Sequence, residues 1–194
     1  MSTSDFCWIN ISQVSDRILD EFDCGSYVFN DFLKEKARDW QENGEAVTYV
    51  VVTSNELESD SDSISRIYGY VAINAMGLLY NTSDDEHRYL PCVEIRMFAV
   101  AKQLRKKHDS TIPYSNIIFK MILQNLYEMS TKIIGFHAIF LNANQEGYQL
   151  YKENDFEEIT QYIAPTDEEK LDITGTKPML LLIDDEMLYN IFEY

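Results

Sequence analysis

The 194-residue sequence is poor in the residues that tie small proteins together through covalent or metal links. It has three cysteines, Cys7, Cys24 and Cys92, with no CxxC pair, and three scattered histidines, His87, His108 and His137. An odd, dispersed set of thiols argues against a disulfide framework and against a zinc site, so reduced thiols and no metal are expected. No stretch approaches the ~20 apolar residues that a membrane span requires. Met1–Trp8 lacks the basic start of a signal peptide. These absences point to a globular, cytoplasmic chain that does not engage membrane. Basic residues are also scarce, with 16 Lys and Arg against 33 Asp and Glu, a formal charge of −17. Such a field repels phosphate backbones and argues against a nucleic-acid partner. It either favours a cationic acceptor or only keeps the protein soluble.

What is present suffices for one globular domain over residues 1–194. Hydrophobic residues make up 45% and aromatics 13%, enough to bury a core without staples. From Ser26 to Trp40, Phe29, Phe32, Leu33, Ala37 and Trp40 fall on one helical face, and Gly44 is the expected stop. Ala46–Thr53 is a β-branched run, read as a strand buried on both faces. The acidic stretch Asn55–Ser65 breaks the pattern and is read as a solvated hairpin loop. Ile67–Ile73 then resumes a strand that pairs antiparallel with the previous one. Further strands are expected at Val93–Val100, Ile133–Leu141, Glu157–Ile163 and Lys177–Ile183, and a short first one at Trp8–Ile11. A buried helix is expected at Tyr114–Met129 and a short one at Gln145–Glu153. The order βαβββαβαββ describes a mixed α/β sheet with helices packed on it.

In so acidic a chain the segment Lys102-Gln-Leu-Arg105-Lys106-Lys107-His108 stands out, with four of the sixteen basic residues inside six positions. It lies between a strand and a buried helix, where helix-terminal N–H groups and the helix dipole favour an anion. Lysine and arginine there add charge for a phosphorylated ligand. The plainer reading is a solvated charge run.

This run also locates a family resemblance. Glu94-Ile-Arg-Met-Phe98-Ala99-Val100 resembles the fourth strand of GNAT superfamily N-acetyltransferases, whose splayed end offers backbone groups to the pantetheine arm of acetyl-CoA. Arg105 follows Val100 at the spacing of the family's pyrophosphate loop, Q/R-x-x-G-x-G/A. In that register Arg105-Lys106-Lys107-His108-Asp109-Ser110 contains no glycine, so side chains occupy space that glycine leaves open. Side-chain charge then substitutes for the glycines, and Tyr114 and Ser115 supply a hydroxyl and backbone N–H groups. Asn144-Gln-Glu-Gly147-Tyr-Gln-Leu150-Tyr151-Lys-Glu-Asn-Asp155-Phe156 follows the family pattern N-x-x-A-x-x-[FL]-Y-x-K/x-x-G-F, with Gly147 and Asp155 replacing the usual Ala and Gly. Upstream, Phe22-Asp23-Cys24-Gly25, FNDFL and Tyr68-Gly69-Tyr70 resemble the N-terminal half of GNAT toxins from toxin–antitoxin pairs.

The resemblance implies a mostly antiparallel mixed sheet, splayed between its fourth and fifth strands, with helices on both faces. It implies acetyl-CoA as acyl donor, no metal, and direct transfer to an amine. Its cofactor-binding positions are Phe98, Ala99, Val100, Arg105, Lys106, Lys107, Ser110, Tyr114, Ser115 and Asn144. Its catalytic positions are Tyr151, as acid toward the departing thiolate, and Glu94, as base toward the amine. Against these stand plainer readings: Tyr151 as core, Glu94 as the strand partner of Arg96 on one face, Asn144 as a helix cap. The acceptor is read as a small cationic metabolite, a protein lysine or an N-terminus. An aminoacyl-tRNA-acetylating toxin and a non-catalytic acyl-CoA-binding or interaction module are the alternatives. The sequence leaves a homodimer open.

Overall fold

The computed structural model describes residues 6–59, 64–81, 87–104, 113–159, 162–163 and 175–183. The chain divides into two compact units, residues 1–74 with 96–125, and residues 75–95 with 126–194. Strands β3 (Gly69–Asn81) and β4 (His87–Val100) and helix α5 (Tyr114–Lys132) contribute to both. Strand pairing follows the order β1 (Phe6–Asn10), β2 (Val47–Thr53), β3, β4, β5 (Ala138–Ala143), β8 (Lys177–Leu182), β6 (Glu157–Glu158), with β7 (Tyr162–Ile163) also on β3. Among the described residues β4–β5 is parallel, and β1–β2, β2–β3, β3–β7, β5–β8 and β6–β8 are antiparallel. Among the described residues no helix is long and apolar enough to cross a membrane.

In the first unit β1 (Phe6–Asn10) pairs antiparallel with β2 (Val47–Thr53), which pairs antiparallel with the start of β3. Helices α1 (Asp16–Asp20), α2 (Tyr27–Asp31) and α3 (Ala37–Glu42) cover this sheet. The expected helix over Ser26–Trp40 is present as α2, a wide turn over Phe32–Lys36 with π-type bonding, and α3. The wide turn carries the adjacent pair Phe32 and Leu33, both buried in the core with Leu19, Phe22, Val50 and Tyr70. Phe32 stacks on Tyr70 at 5.9 Å and meets Trp40 edge-on at 5.0 Å. The Tyr70 hydroxyl donates to the Phe29 carbonyl at 2.8 Å, which satisfies the one polar atom of a ring buried this deeply. The helix stops at Gly44, as its sequence signal predicts. Gly44 has φ +73°; the Glu45 N–H reaches back to the Trp40 carbonyl (2.8 Å) and the Gly44 N–H to Gln41 (3.2 Å), a Schellman cap.

Asn55–Ser65 departs from the solvated hairpin expected of it. Ser54–Ser59 forms a helix, α4, and both Glu56 carboxylate oxygens are engaged. One accepts from the Thr53 N–H (3.2 Å) and hydroxyl (2.7 Å), the other from the N–H (3.0 Å) and hydroxyl of Ser65. Ile64 and Ile67 are buried ahead of β3, which starts at Gly69 and not at Ile67.

In the second unit β5 (Ala138–Ala143) pairs with β8 (Lys177–Leu182) along its whole length. The expected strand Glu157–Ile163 divides into β6 (Glu157–Glu158), paired with β8, and β7 (Tyr162–Ile163), paired with β3. A short helix, α6 (Tyr148–Lys152), follows β5. Leu78, Cys92, Ala138 and Phe140 form one core cluster of this unit, with Met76, Leu90, Ile159 and Leu180 packed on it. The expected strand Ile133–Leu141 starts five residues late. Ile133 and Ile134 finish α5, with both N–H groups on the Met129 carbonyl, and are 79% and 54% exposed.

One irregularity in β4 governs how it pairs. Along β3 the inward residues keep one parity, Tyr70, Ala72, Met76 and Leu78, whereas along β4 they change from Leu90 and Cys92 to Met97 and Ala99. The cross-strand neighbours agree: a Cβ on Gly77 would meet Tyr89, and one on Gly69 would meet Val100. The Arg96 guanidinium lies over the Trp40 ring, 5.1 Å from its centroid, and Met97 packs on the same core. Two consecutive residues on one face are the mark of a β-bulge. The parallel ladder with β5 covers Cys92–Ile95 against Ala138–Leu141, and among the described residues it has no pair beyond Ile95. The fourth and fifth strands thus stop pairing where the splay was expected. After the bulge Phe98 faces away from Met97 and packs on Phe119 of α5 at 5.1 Å, so helices lie on both faces.

Gly69 permits the close approach of β3 to this strand end, because a Cβ there would lie 2.8 Å from the Ala99 carbonyl oxygen. The obstacle is backbone and cannot swing aside. Gly69→Ala is expected to cost about 1–3 kcal/mol in urea unfolding, and unchanged stability would show that the strands have room.

Candidate functional site

Phe98, Ala99 and Val100 end β4 in the first unit, with Ala99 and Val100 buried and Phe98 half-buried. The chain beyond them is fixed mainly through its backbone. The Ala101 N–H donates to the Tyr68 carbonyl (2.9 Å), the Lys102 N–H to Asp23 (3.0 Å), and the Leu104 N–H to Ala101 (2.9 Å), closing a single 3-10 turn. The Asp23 carboxylate binds the Lys102 ammonium, the Gly25 N–H (2.7 Å) and the Asn30 amide (3.1 Å). The Lys102 hydrogen bond, then those from Gly25 and Asn30, hold the Asp23 carboxyl well below the usual carboxylate range. Both partners of the ion pair are exposed, so it contributes little by itself, and the backbone bonds fix the loop's start. Sequence reasoning saw the Phe22-Asp23-Cys24-Gly25 motif but missed this role. Gly25 at φ +83°, two residues after Asp23, was the available signal.

Arg105, Lys106, Lys107 and Ser110 lie outside the described residues. Helix α5 begins at Tyr114, directly after Pro113, whose carbonyl accepts from Asn116 (3.0 Å) and Ile117 (3.3 Å). Helical geometry leaves the Tyr114 and Ser115 N–H groups without an acceptor inside the helix. These are the donors that the resemblance assigns to a phosphate.

Glu94, Asn144 and Tyr151 belong to the second unit. Glu94 is half-buried and stands opposite Phe140 in the parallel register, with Asn144 four residues further along the chain from Phe140. Asn144 caps the next turn: its side-chain oxygen accepts the Gly147 N–H (2.8 Å) and its carbonyl the Tyr148 N–H (3.0 Å). The expected capping role is therefore observed. Gly147 accepts the Tyr151 N–H (3.1 Å), which completes the link from Asn144 to Tyr151. Tyr148 of α6 donates to Glu158 of β6, and Lys177 of β8 both pairs with Glu158 (2.8 Å) and lies over the Tyr148 ring (4.6 Å).

The Tyr151 ring is buried, 6.0 Å from Phe156 between centroids. Burial raises its phenol well above the ordinary value, so the hydroxyl is protonated across the physiological range. The Phe156 N–H donates to the Tyr151 carbonyl (3.1 Å) and the Asp155 N–H to the Lys152 carbonyl (3.3 Å), with Asp155 at φ +62°. This is a second Schellman cap, and the ring contact of Tyr151 with Phe156 is the hydrophobic contact that accompanies it.

Comparison of the sequence with protein-family models and with curated proteins finds no match. Comparison of the structure does. It is similar to a tyrosine-to-phenylalanine mutant of KacT (16% identity, TM-score 0.64, covering 92% of this chain and 95% of that one). It is also similar to AtaTR bound with AcCoA (16%, 0.64, 95% and 98%). A third similar structure is AtaT complexed with acetyl-methionyl-tRNAfMet (15%, 0.64, 97% and 99%). The chain has the fold of GNAT toxins, as the motifs around Phe22, Glu94 and Asn144 led us to expect.

Asp155 occupies a backbone conformation that favours glycine, the residue the family motif carries there and that Gly44 supplies at the other cap. Asp155→Gly is expected to raise stability by about 0.5–1 kcal/mol in chemical denaturation. A loss would show that the aspartate side chain is needed at this cap.

Proposed function

We propose that the protein is an acyl-CoA-dependent N-acetyltransferase that moves an acetyl group directly from acetyl-CoA to an amine. The observation that carries this reading is the early end of the parallel ladder at Ile95 while β4 continues to Val100. The backbone of Phe98–Val100 is proposed to take the amides of an extended arm, in the fold of proteins one of which is bound with AcCoA. Arg105, Lys106, Lys107 and Ser110, with the N–H groups of Tyr114 and Ser115, are proposed to take the phosphates.

The chemistry sets two tasks. An ammonium with a pKa of ~10 must lose its proton before its nitrogen attacks the thioester carbonyl; Glu94 is proposed as that base. As the C–N bond forms and the C–S bond breaks, negative charge collects on sulfur. Tyr151 is proposed to donate a hydrogen bond there. A phenol raised by burial is a poor acid toward a thiolate whose conjugate thiol lies near ~8.5, so its contribution is to stabilise developing charge. No covalent enzyme intermediate is required, and Cys7, Cys24 and Cys92 have no part.

A second reading of the acceptor is the amine of an aminoacyl-tRNA. It draws on the neighbour complexed with acetyl-methionyl-tRNAfMet. The argument that charge sets nucleic acid aside finds no support among the neighbours. The charge of −17 instead favours a small cationic amine or a basic protein segment. Acetyl-CoA turnover with polyamines, lysine peptides and charged tRNA separates these acceptors. CoA binding with no turnover on any amine would indicate a binding module.

Tyr151→Phe is expected to lower turnover ~100-fold or more with little change in acetyl-CoA affinity. Because burial keeps the phenol neutral, the ratio of wild-type to mutant rate should stay level from pH 7 to about 10, the ordinary tyrosine value, and decline only above it. A ratio that falls below pH 10, or a mutant with normal turnover when chemistry limits the rate, would remove Tyr151 from the mechanism.

A further inference from the structure

Asp23 puts a negative charge beside the chain that leaves β4 for the proposed phosphate seat. Its carboxylate pairs with Lys102, the first cation of the basic run that follows the strand. Such a charge opposes an anion and occupies one of the few cations that could attract it. Both groups are exposed, so the pair itself adds little stability. The contribution of Asp23 lies in the turn that it builds. Its Oδ1 accepts the Gly25 N–H (2.7 Å) and the Asn30 side-chain amide (3.1 Å). The first of these bonds closes an Asx turn, which ends on Gly25 at φ +83°. A Cβ on Gly25 would stand 3.9 Å from the Lys102 Cβ, so the turn lies against the chain leaving the strand.

Asn30 holds this turn from the other side. Its Oδ1 accepts the Cys24 N–H (2.9 Å), its Nδ2 gives the bond to Asp23, and its own N–H reaches the Ser26 carbonyl (3.0 Å). One side chain thus ties two successive residues of the turn to α2. The helix is fixed to the core in its turn, because the neighbouring Phe29 carbonyl accepts the hydroxyl of buried Tyr70 (2.8 Å). Held in this way, the Asp23 carbonyl meets the Lys102 N–H (3.0 Å), one residue after the Ala101 N–H is fixed on Tyr68 (2.9 Å). A continuous path of hydrogen bonds runs from the core through Asn30 and Asp23 to the place where the chain turns off β4.

We infer that Asp23 and Asn30 are positioning residues for the CoA donor: their turn sets the direction in which the chain leaves β4, and with it the seat of the donor's phosphates. This rests on the reading of the protein as a CoA-dependent enzyme. Asp23 acts through Lys102 and not on the donor itself. Its effect through geometry exceeds its effect through charge and has the opposite sign.

Opposite signs make the test direct. Asp23→Ala, Asn30→Ala and the double variant are compared with wild type by calorimetry with CoA, and by urea unfolding to show that each is folded. By charge alone, Asp23→Ala removes a negative group and releases the Lys102 ammonium, so CoA would bind more tightly. Loss of the turn should instead weaken CoA binding about tenfold, the equivalent of one charge-assisted hydrogen bond. Asn30→Ala changes no charge and should weaken CoA by a similar factor. Its affinity should also depend less on salt than that of wild type, because phosphates without their seat have less attraction to screen. The double variant should lose no more than the weaker-binding single variant, since both substitutions undo the same turn. Tighter or unchanged binding in Asp23→Ala, additive losses, or a salt dependence in Asn30→Ala parallel to wild type would overturn the inference. Wild-type protein that binds no CoA would overturn the proposed function and this inference with it, whereas variants that bind as wild type does would overturn this inference alone. Should Asn30→Ala fail to fold, Asp23→Ala, at a half-exposed position, decides through the sign of its effect.

Discussion

One extra residue in β4 determines the behaviour of the strands around it. The bulge at Arg96–Met97 exchanges the faces of every side chain after it, so Met97 and Ala99 join the core with Tyr70 and Ala72 while Phe98 turns to α5. A strand without the bulge would turn Phe98 to the core that now takes the small Ala99 side chain. The bulge also coincides with the end of the parallel ladder. The irregular backbone thus sets both the packing of the strand end and the place where its pairing with β5 stops.

The second constraint is the treatment of short helices. A five-residue helix such as α6 has too few internal hydrogen bonds to hold itself, and its position comes from its ends. Asn144 secures the first turn, the Asp155 cap secures the last, and Tyr148, Glu158 and Lys177 join it to two strands. Tyr151 therefore sits on a rigid mount although its helix is brief. The longer segment α2 to α3 obtains the same result differently, by widening one turn to bury Phe32 and Leu33 side by side.

Much of this was legible before the structure. The order of elements, the strand Val47–Thr53, the stop at Gly44, the Asn144 cap and the helix from Tyr114 follow from periodicity and capping chemistry, which are local. The errors arose where tertiary contacts override local preference. Ile133 and Ile134 look like strand residues, yet their N–H groups complete a helix end. The strand expected from Val93 starts at His87, and its Pro91, which has no N–H to give, still accepts the His137 N–H at 2.9 Å. Glu94, Phe98, Tyr151 and Asn144 were singled out by resemblance to a motif, and their roles remain proposals.

Glu56 has a wider bearing. By gripping Thr53 and Ser65 with opposite oxygens, it closes the excursion between β2 and β3 at its base. The entropy of joining the two ends is then settled by that one carboxylate, and lengthening what lies between adds only slowly to the cost. The register of β2 on β3 therefore depends on Glu56 and little on how many residues separate it from Ser65, so length can be added between those two positions at small cost as long as the clasp is kept.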